Sequence, residues 1–385
     1  MPRLLLVTPA ELTRDPRARR AAEAGKALGF GVVGLSGRIS GEQPAELADV
    51  AVVRAGREGR TNARWTTGGD PTPERPLLRE LRGVFRLVRL GARTATLVRA
   101  GRTLGGVDVV HANDLDTLPA GYLLARESGS RLVYDAHELY ADFDPDPPRL
   151  ARAALNAIER LLARRAHAVV TVSDEIAAEL AERLRVTPIV VLNAPPVDER
   201  EPPDPATEPL RVVYQGAFGT GRPLADLMEI LRHAPSVRLT LRVNRSTSAE
   251  LEGELPPELA PRVEVVEPVG PDAVVGALHG HHVGLLFDRP LTRNAELSSP
   301  NKLFEYLMAG LAIAAPRLPG LLWIEEERLG LLAKAGDPRA LGAALERLNA
   351  SRPLLAELRA NARRAAVERY NAERQRDALA RAWRG

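Results

Sequence analysis

Residues 211–224 read RVVYQGAFGTGRPL and make up one strand–loop–helix unit. The apolar run Arg211–Gln215 predicts a buried strand, and Pro223 falls in the first turn of the helix that follows. Three glycines stand in the loop, at Gly216, Gly219 and Gly221. Glycines let a backbone approach an anion, the helix N-terminus adds exposed N–H groups, and Arg222 stands where its guanidinium could reach a phosphate. The unit predicts a phosphate site, with a turn whose glycines serve only geometry as the alternative.

The same alternation of short apolar runs with amphipathic stretches continues through the chain and predicts an α/β fold with parallel sheets. A segment at 195–209 interrupts it with six prolines, a composition that continues neither a helix nor a central strand. We therefore expect two doubly wound, Rossmann-like domains, at 1–194 and 210–370, joined by this linker. Because parallel sheets bind ligands at the carboxyl ends of their strands, both domains should face a common cleft.

The composition excludes several classes of site. The 385 residues are 45% hydrophobic and 27% charged, as in ordinary globular proteins, and include no cysteine. This excludes disulfide scaffolds, thiolate zinc sites, iron–sulfur clusters and cysteine nucleophiles. The 53 cations barely exceed the 50 anions, so we expect no nucleic acid as a partner. The N-terminal apolar run is too short for a signal peptide and no long apolar run occurs, so we expect a cytoplasmic protein.

A second unit reads LSSPNKLFEYLMAG at 297–310, after a predicted strand. Ser299 is predicted to cap the helix, with Pro300 at the first helical position. Lys302 then falls in the first turn, where the helix dipole disfavours a cation unless an anion lies nearby. Glu305 is three residues further on and therefore on the same face. The unit predicts an anion site, and an intrahelical pair of the two charges is the alternative.

Polar residues also follow two predicted strands of the N-terminal domain, as HANDLD at 111–116 and YDAHE at 134–138. A doubly wound domain holds its ligand at such positions, past the carboxyl ends of neighbouring strands. Asp114 and Asp116 have the spacing of some metal sites, but an Asp-x-Asp triplet is weakly specific, so we expect no metal there. His137 is a candidate ligand contact, with a buried and fully bonded histidine as the alternative.

Together these segments resemble the family-four retaining glycosyltransferases of the GT-B fold, from the first strand to about Tyr370. The most specific match is PNKLFEYLMAGL at 300–311, which is similar to the donor-binding helix of that family. The other matching segments are DVVHANDLDTLPAG at 108–121, YDAHELY at 134–140, AVVTVS at 168–173, Asn193, Gly336-Asp-Pro338 and Asp15-Pro-Arg17. The resemblance also implies that a C-terminal helix, at about 371–385, packs back on the N-terminal domain.

Two positions depart from the pattern of that family. The first of two glutamates that usually lie eight positions apart falls on Leu297, while the second falls on Glu305. The usual arginine after the phosphate-loop glycine falls on Ala217, while Arg222 matches its partner cation. Some relatives with the same Pro-Asn-Lys version share this pattern, in which Lys302 is expected to supply the second charge.

The resemblance implies transfer of a hexosyl group from a nucleoside-diphosphate sugar, with UDP or GDP, to an acceptor hydroxyl with retention. The catalytic residues it implies are His137, Arg222 and Lys302. The donor-binding residues it implies are Gly216, Gly219, Gly221, Arg222, Ser299, Asn301, Lys302, Leu303 and Glu305. The acceptor-side residues it implies are Asp15, Arg17, His111, Asn113, Asp114 and Glu138. Front-side displacement requires neither a protein nucleophile nor a metal, so we expect no cofactor.

Two other functions remain open at this point: a GT-B epimerase of sugar nucleotides and a catalytically silent protein that binds them. An epimerase needs carboxylates around the sugar, which Leu297 disfavours. The presence of Arg222, Lys302 and Glu305 argues against a silent protein. For a transferase, we expect a role in cell-envelope, polysaccharide or glycoconjugate synthesis.

The segment Arg75–Leu104 is unusually basic. It contains eight arginines against one acid, Glu80, and the first six arginines are spaced to share one face of a helix. We expect the leucine, valine and phenylalanine side chains of this helix to pack on the N-terminal sheet. The arginine face is then either a solvated surface or a docking surface for an anionic membrane or an anionic, lipid-linked acceptor at the inner membrane face.

Overall fold

The computed structural model describes residues 1–9, 12, 15–37, 50–54, 76–142, 144, 147–201, 209–244, 251 and 254–385. Residues 202–208 of the predicted linker and Arg75 of the basic segment lie outside the described residues.

The N-terminal domain is built on a parallel sheet whose central strands are apolar and buried on both faces. Its strands are β1 Arg3–Thr8, β2 Gly31–Ser36, β3 Ala51–Arg54, β4 Val109–Asn113, β5 Arg131–Ala136, β6 Ala168–Thr171 and β7 Ile189–Val190. Its helices are α1 Pro16–Ala27, α2 Pro76–Gly101, α3 Leu118–Ser128, α4 Arg149–Ala163 and α5 Asp174–Leu184. The order β3-β2-β1-β4-β5-β6-β7 reverses between β1 and β4, so a ligand crevice opens at the carboxyl ends of these two strands.

The C-terminal domain repeats this plan on a second parallel sheet, of order β10-β9-β8-β11-β12-β13. Its strands are β8 Leu210–Gln215, β9 Val237–Arg242, β10 Val263–Val266, β11 Val283–Leu285, β12 Ala312–Pro316 and β13 Gly330–Ala333. Its helices are α6 Leu224–Arg232, α7 Val274–Leu278, α8 Arg293–Leu297, α9 Asn301–Met308, α10 Trp323–Glu326, α11 Pro338–Ala350 and α12 Arg352–Glu368. The order reverses between β8 and β11, which places the glycine loop after β8 at the crevice. The predicted fold class, two doubly wound α/β domains, is confirmed.

The last helix, α13 Ala372–Arg384, packs against the N-terminal domain rather than the C-terminal one. Its Trp383 is fully buried in the N-terminal core and makes an edge contact with Phe30. The Nε1–H of Trp383 donates to Nδ1 of His111 at 3.0 Å. The end of the chain is thus part of the N-terminal core.

Four polar contacts join the two domains beside the cleft. Arg19 pairs with Asp272 at 3.1 Å, and Arg293 pairs with Glu179 at 3.0 Å. The N–H of Leu139 donates to Oδ1 of Asn294 at 2.8 Å, and Oγ of Ser173 donates to the carbonyl of Leu297 at 3.3 Å. Three of the four contacts involve α8, so this short helix is the main contact of the C-terminal domain with its neighbour.

The prediction for the basic helix is wrong in its first half. Leu78, Leu81, Val84, Phe85 and Val88 of α2 are each 50–62% exposed instead of packed on the sheet. A different stripe of the helix faces the domain, one that includes Gly83, Leu87 and Leu90. Among the described residues, no helix is both long enough and apolar enough to cross a bilayer.

Candidate active site

The glycine loop after β8 closes onto the first turn of α9. Gly216 has a φ of +134°, in the region that favours glycine, and a Cβ at this position would lie 3.1 Å from Nζ of Lys302. Gly219 and Arg222 exchange two backbone hydrogen bonds, of 3.2 and 2.8 Å, which make a tight turn. The turn places the Arg222 guanidinium 3.4 Å from Asp288, so Arg222 from the loop and Lys302 from α9 both lie at the carboxyl end of the sheet.

Lys302 is buried at this point, and its ammonium has no hydrogen-bond partner among the described residues. Nζ lies 4.4 Å from the centre of the Tyr214 ring, which gives it a cation–π contact only. Burial lowers the pKa of Lys302 to about 8, with Asp288 and Glu305 acting against the shift and Arg222 adding to it. A buried charge without a hydrogen bond is unfavourable, so the arrangement fits a site that an anion completes.

The start of α9 differs by one residue from the prediction. The helix begins at Asn301, and its N-cap Pro300 is extended and offers no side chain to cap it. Ser299 does not cap the helix, because its buried hydroxyl donates to the carbonyl of Gly320 at 3.0 Å. The N–H groups of the first turn are therefore without a side-chain cap and are oriented to bind an anion beside Lys302.

The carboxylate of Glu305 lies one turn further along α9, between groups of both domains. Nε2 of Gln215 donates to it, and the N–H of Gln215 donates to the Tyr306 hydroxyl at 3.0 Å. Burial raises the pKa of Glu305, while Arg20 and Lys302 act in the opposite direction. Arg20 comes from α1 of the N-terminal domain. Burial lowers its pKa, and its Nη1 atom has no hydrogen-bond partner within the described ranges.

Across the cleft, a histidine lies between two carboxylates at the carboxyl ends of β4 and β5, a region called here the crest of the N-terminal domain. Nδ1 of His137 lies 3.4 Å from Asp114, and Nε2 lies 3.3 Å from Asp135. Burial disfavours the imidazolium, but the two carboxylates outweigh it and raise the pKa of His137 to about 9. Asp114 has a φ of +63°, so the turn after β4 aims its side chain back at the histidine. His137 is therefore a cation at neutral pH.

Beneath His137, three predicted acceptor-side residues support the crest. The Arg17 guanidinium donates twice to Asp135, at 2.9 and 2.7 Å, and once to the carbonyl of Val191 at 2.5 Å. His111 is fully buried, and its Nε2 lies 3.1 Å from Asp135. Asp15 caps α1 by accepting from the N–H groups of Arg17 and Ala18. Although burial opposes its charge, the nearby cations hold the pKa of Asp135 well below its usual range.

The other predicted residues of the crest are divided between the interior and the surface. Asn113 is buried, and its Nδ2 donates to the carbonyl of Val7 at 3.2 Å. Glu138 is half-buried next to His137. Asp116, the other half of the Asp-x-Asp triplet, binds Arg93 and accepts from the Tyr140 hydroxyl. Among the residues that the structure describes, no three His, Asp or Glu side chains form a group that could hold a metal ion.

At the position of the absent glutamate, Leu297 belongs to the core of the N-terminal domain. It is buried at the end of α8, and its carbonyl accepts from Ser173. A carboxylate at this position would enter an apolar core, which explains why a leucine suits it. The adjacent Glu296 pairs with Arg293 at 3.1 Å.

The sequence did not single out Arg20, Gln215 and Asp288. The spacing could have identified Arg20 as a site residue, because it lies three residues after Arg17 on the same predicted helix and therefore on the same face. Asp288 directly follows an apolar run, where a parallel sheet places ligand contacts. Gln215 is the last residue of β8, and nothing in the sequence marks its contact with Glu305.

Comparison with known proteins finds one matching family model and several similar structures. Residues 26–199 match the family model described as Glycosyltransferase Family 4. No protein of curated function matches the chain by sequence. Sucrose-phosphate synthase from Thermosynechococcus elongatus has a similar structure, with a TM-score of 0.74 and 15% identity over 100% of this chain and 98% of that chain.

Two more structures share the fold over almost their entire length. HepE from Anabaena in complex with UDP has a TM-score of 0.69 and 14% identity, over 99% of each chain. WaaG, described as a glycosyltransferase involved in lipopolysaccharide biosynthesis, has a TM-score of 0.66 and 14% identity, over 99% of this chain and 100% of that one. The resemblance to family-four glycosyltransferases is confirmed by the family model over residues 26–199, and the GT-B fold is confirmed by the similar structures. The family match supports a glycosyltransferase.

Proposed function

We propose that this chain transfers a hexosyl group from a nucleoside-diphosphate sugar to a hydroxyl, with retention at the anomeric carbon. The observation that carries the proposal is the buried Lys302 ammonium beside Gly216, without a hydrogen-bond partner in the described part of the chain. A diphosphate fits such a site, because a glycine loop and a helix N-terminus bind phosphate through N–H groups and nearby cations. UDP is the favoured nucleotide, since similar structures were solved with UDP and with UDP-glucose.

The donor would use the groups at the carboxyl end of the C-terminal sheet. Arg222, Lys302 and the first turn of α9 would neutralise the diphosphate as it leaves, and such preorganised charge typically contributes about 10²–10³ in kcat. When it is ionised, the Glu305 carboxylate only accepts hydrogen bonds, which suits the two ribose hydroxyls as donors. Asn301 and Leu303 belong to the same first turn of α9. We propose no resident cofactor, because these cations take the place of a metal.

In the proposed reaction, the acceptor oxygen attacks the anomeric carbon on the face from which the diphosphate departs. The bond from the anomeric carbon to the phosphate oxygen breaks, the bond to the acceptor oxygen forms, and a phosphate oxygen takes the hydroxyl proton. We assign no protein nucleophile, because Asp114 and Asp135 are each held by a cation. His137, as an imidazolium, would donate a hydrogen bond to the sugar or to the β-phosphate. The other acceptor-side residues, Asn113 and Glu138 among them, remain predictions.

The acceptor is proposed to belong to cell-envelope, polysaccharide or glycoconjugate synthesis, and the reaction to take place in the cytoplasm. WaaG, a similar structure, is described as acting in lipopolysaccharide biosynthesis, which supports this setting.

The test is incubation of the protein with UDP-sugars and GDP-sugars together with a panel of acceptor hydroxyl compounds. We expect free nucleotide and a glycoside whose anomeric proton shows the configuration of the donor by NMR. Recovery of an epimerised donor would assign the epimerase instead. Binding of UDP without turnover of any donor would support a silent binding protein, and inversion of the anomeric centre would contradict the mechanism.

A further inference from the structure

The first half of α2 carries two apolar stripes on opposite sides of the helix. The inner stripe, with Gly83, Leu87 and Leu90, faces the domain, and a Cβ on Gly83 would lie 2.7 Å from Pro148. The outer stripe is the exposed apolar face of α2, made up of Leu78, Leu81, Val84, Phe85 and Val88. At 100° per residue, Leu81 lies about 160° around the helix from Gly83. Within the described residues the core contacts only the inner stripe, and the outer stripe is left exposed.

The arginines of α2 border the exposed apolar face. Arg82, Arg86 and Arg89 each follow an outer-stripe residue by one position, which places them about 100° around the helix. Arg82 is exposed, and the Arg89 guanidinium lies 5.8 Å from the centre of the Phe85 ring. A helix with an apolar face and cations along its border is typical of segments that lie in the interface of an anionic bilayer, where the cations meet the headgroups.

The surroundings of this face add positive charge. Glu80, the only acid of α2, accepts from the N–H groups of Arg149 and Leu150 at 2.8 and 3.3 Å and so caps the neighbouring helix α4. The first turn of α4 then adds the exposed side chains of Arg149, Leu150 and Arg152. The described surface here therefore combines apolar side chains with arginines, of which Arg86 pairs with Asp144 at 3.7 Å, while Glu80 is bound to the start of α4.

This face lies next to the crest of the N-terminal domain. Arg93, five residues after Val88 on α2, pairs with Asp116, which is two residues from the Asp114 that contacts His137. We propose that the exposed apolar face of α2 inserts into the interface of an anionic phospholipid bilayer and so presents a membrane-held acceptor to the crest. In this arrangement the arginines at the border of the face contact the anionic headgroups, which is the docking alternative considered for them in the sequence analysis. The exposed apolar side chains insert between the lipids. The inference about the acceptor rests on the proposed function; the membrane contact itself does not.

The test compares vesicles of phosphatidylcholine alone with an equal mixture of phosphatidylcholine and phosphatidylglycerol, in flotation experiments. The wild type should float with the mixed vesicles, and binding should weaken in high salt without being abolished, because insertion adds to charge attraction. Leu81→Ser/Phe85→Ser/Val88→Ser should reduce the bound fraction at least about tenfold. The matched control changes three exposed apolar residues elsewhere, Leu123→Ser/Leu322→Ser/Val367→Ser, and should bind as the wild type does.

A charge-reversal variant and a donor-binding measurement make the result interpretable even if the triple serine variant is unstable. Arg82→Glu/Arg89→Glu should remove the preference for the anionic vesicles even if the triple serine variant folds poorly. Equal binding of the wild type and the triple variant, or no vesicle binding by the wild type, would overturn the proposal. A dimer that the triple variant dissociates, without vesicle binding, would assign the face to a second copy of the chain. UDP-induced thermal shifts on the same samples test the donor site independently.

Discussion

The two sides of the cleft treat their buried charges in opposite ways. At the N-terminal crest, Asp135 is held by Arg17 and His111, and the pKa of His137 is raised to about 9 despite its burial. At the C-terminal glycine loop, the pKa of Lys302 is lowered to about 8 and its ammonium lacks a hydrogen-bond partner among the described residues. At the crest each of these buried charges has an opposite charge within 3.4 Å, although Nε2 of His137 makes no hydrogen bond in the described part of the chain. The Lys302 ammonium lies against the Tyr214 ring instead, so an anion would complete the donor side.

The largest effect is expected from removal of the carboxylate that completes the crest. Asp135→Asn should lower the free energy of unfolding by about 3–5 kcal/mol, because it leaves the buried Arg17 guanidinium without its counter-ion. Chemical denaturation measures the change. Glu127→Gln, which breaks the exposed pair with Arg102, is the control and should leave the stability as it is. A variant as stable as the wild type would mean that the crest is not the preorganised unit described here.

The free energy of unfolding should depend on pH through His137 at the N-terminal side of the cleft. The pKa of His137 rises from 6.5 to about 9 on folding, so its stabilising contribution is complete below pH 6.5 and is lost as the pH rises through 9. His137→Gln should remove about 3 kcal/mol of this pH dependence between about pH 6 and 10. The exposed His233→Gln is the control. Parallel stability curves for the wild type and His137→Gln would refute the raised pKa.

Lys302→Met should separate activity from stability. Loss of a charged hydrogen bond to the donor, about 1.5–3 kcal/mol, should lower kcat/KM by roughly 10- to 150-fold. The melting temperature of the free protein should not fall, because the variant removes a buried charge that lacks a hydrogen bond. Lys26→Met on α1 is the control for loss of a lysine. A less stable Lys302→Met protein with unchanged kcat/KM would make Lys302 a structural residue.

A smaller effect is expected from Arg20, which approaches Glu305 from the other domain. Arg20 favours the ionised form of Glu305, the proposed ribose contact, so Arg20→Met should raise KM for the donor about fivefold, equivalent to about 1 kcal/mol, with kcat less affected. Arg19→Met breaks the pair with Asp272 and serves as the control for loosened domain contact. If both variants raise KM equally, loosened domain contact rather than the loss of the charge beside Glu305 is the cause.

The sequence predicted the parts of the molecule that depend on local pattern. Alternating apolar runs indicated both sheets, and the glycine loop and Lys302 stand out because their residue types are unusual for a plain turn and a helix start. Arg20 depends on how the two domains meet, which periodicity along one chain does not contain. The outer stripe of α2 was predicted to be buried because amphipathic spacing identifies apolar stripes but not which of two opposite stripes faces the core. Ser299 was predicted as a cap because the pattern does not reveal the competing carbonyl of Gly320.

The central claim is that the Lys302 ammonium binds the diphosphate of the donor. It is tested most directly by calorimetry of UDP binding near pH 8, in which buffers of different ionisation enthalpy reveal how many protons are taken up on binding. With a pKa of about 8, Lys302 is half protonated at that pH, and a bound diphosphate should restore its ordinary pKa. We therefore expect the wild type to take up about half a proton per UDP bound, and Lys302→Met to take up none. The same proton uptake in both proteins, or UDP binding without uptake in the wild type, would contradict it.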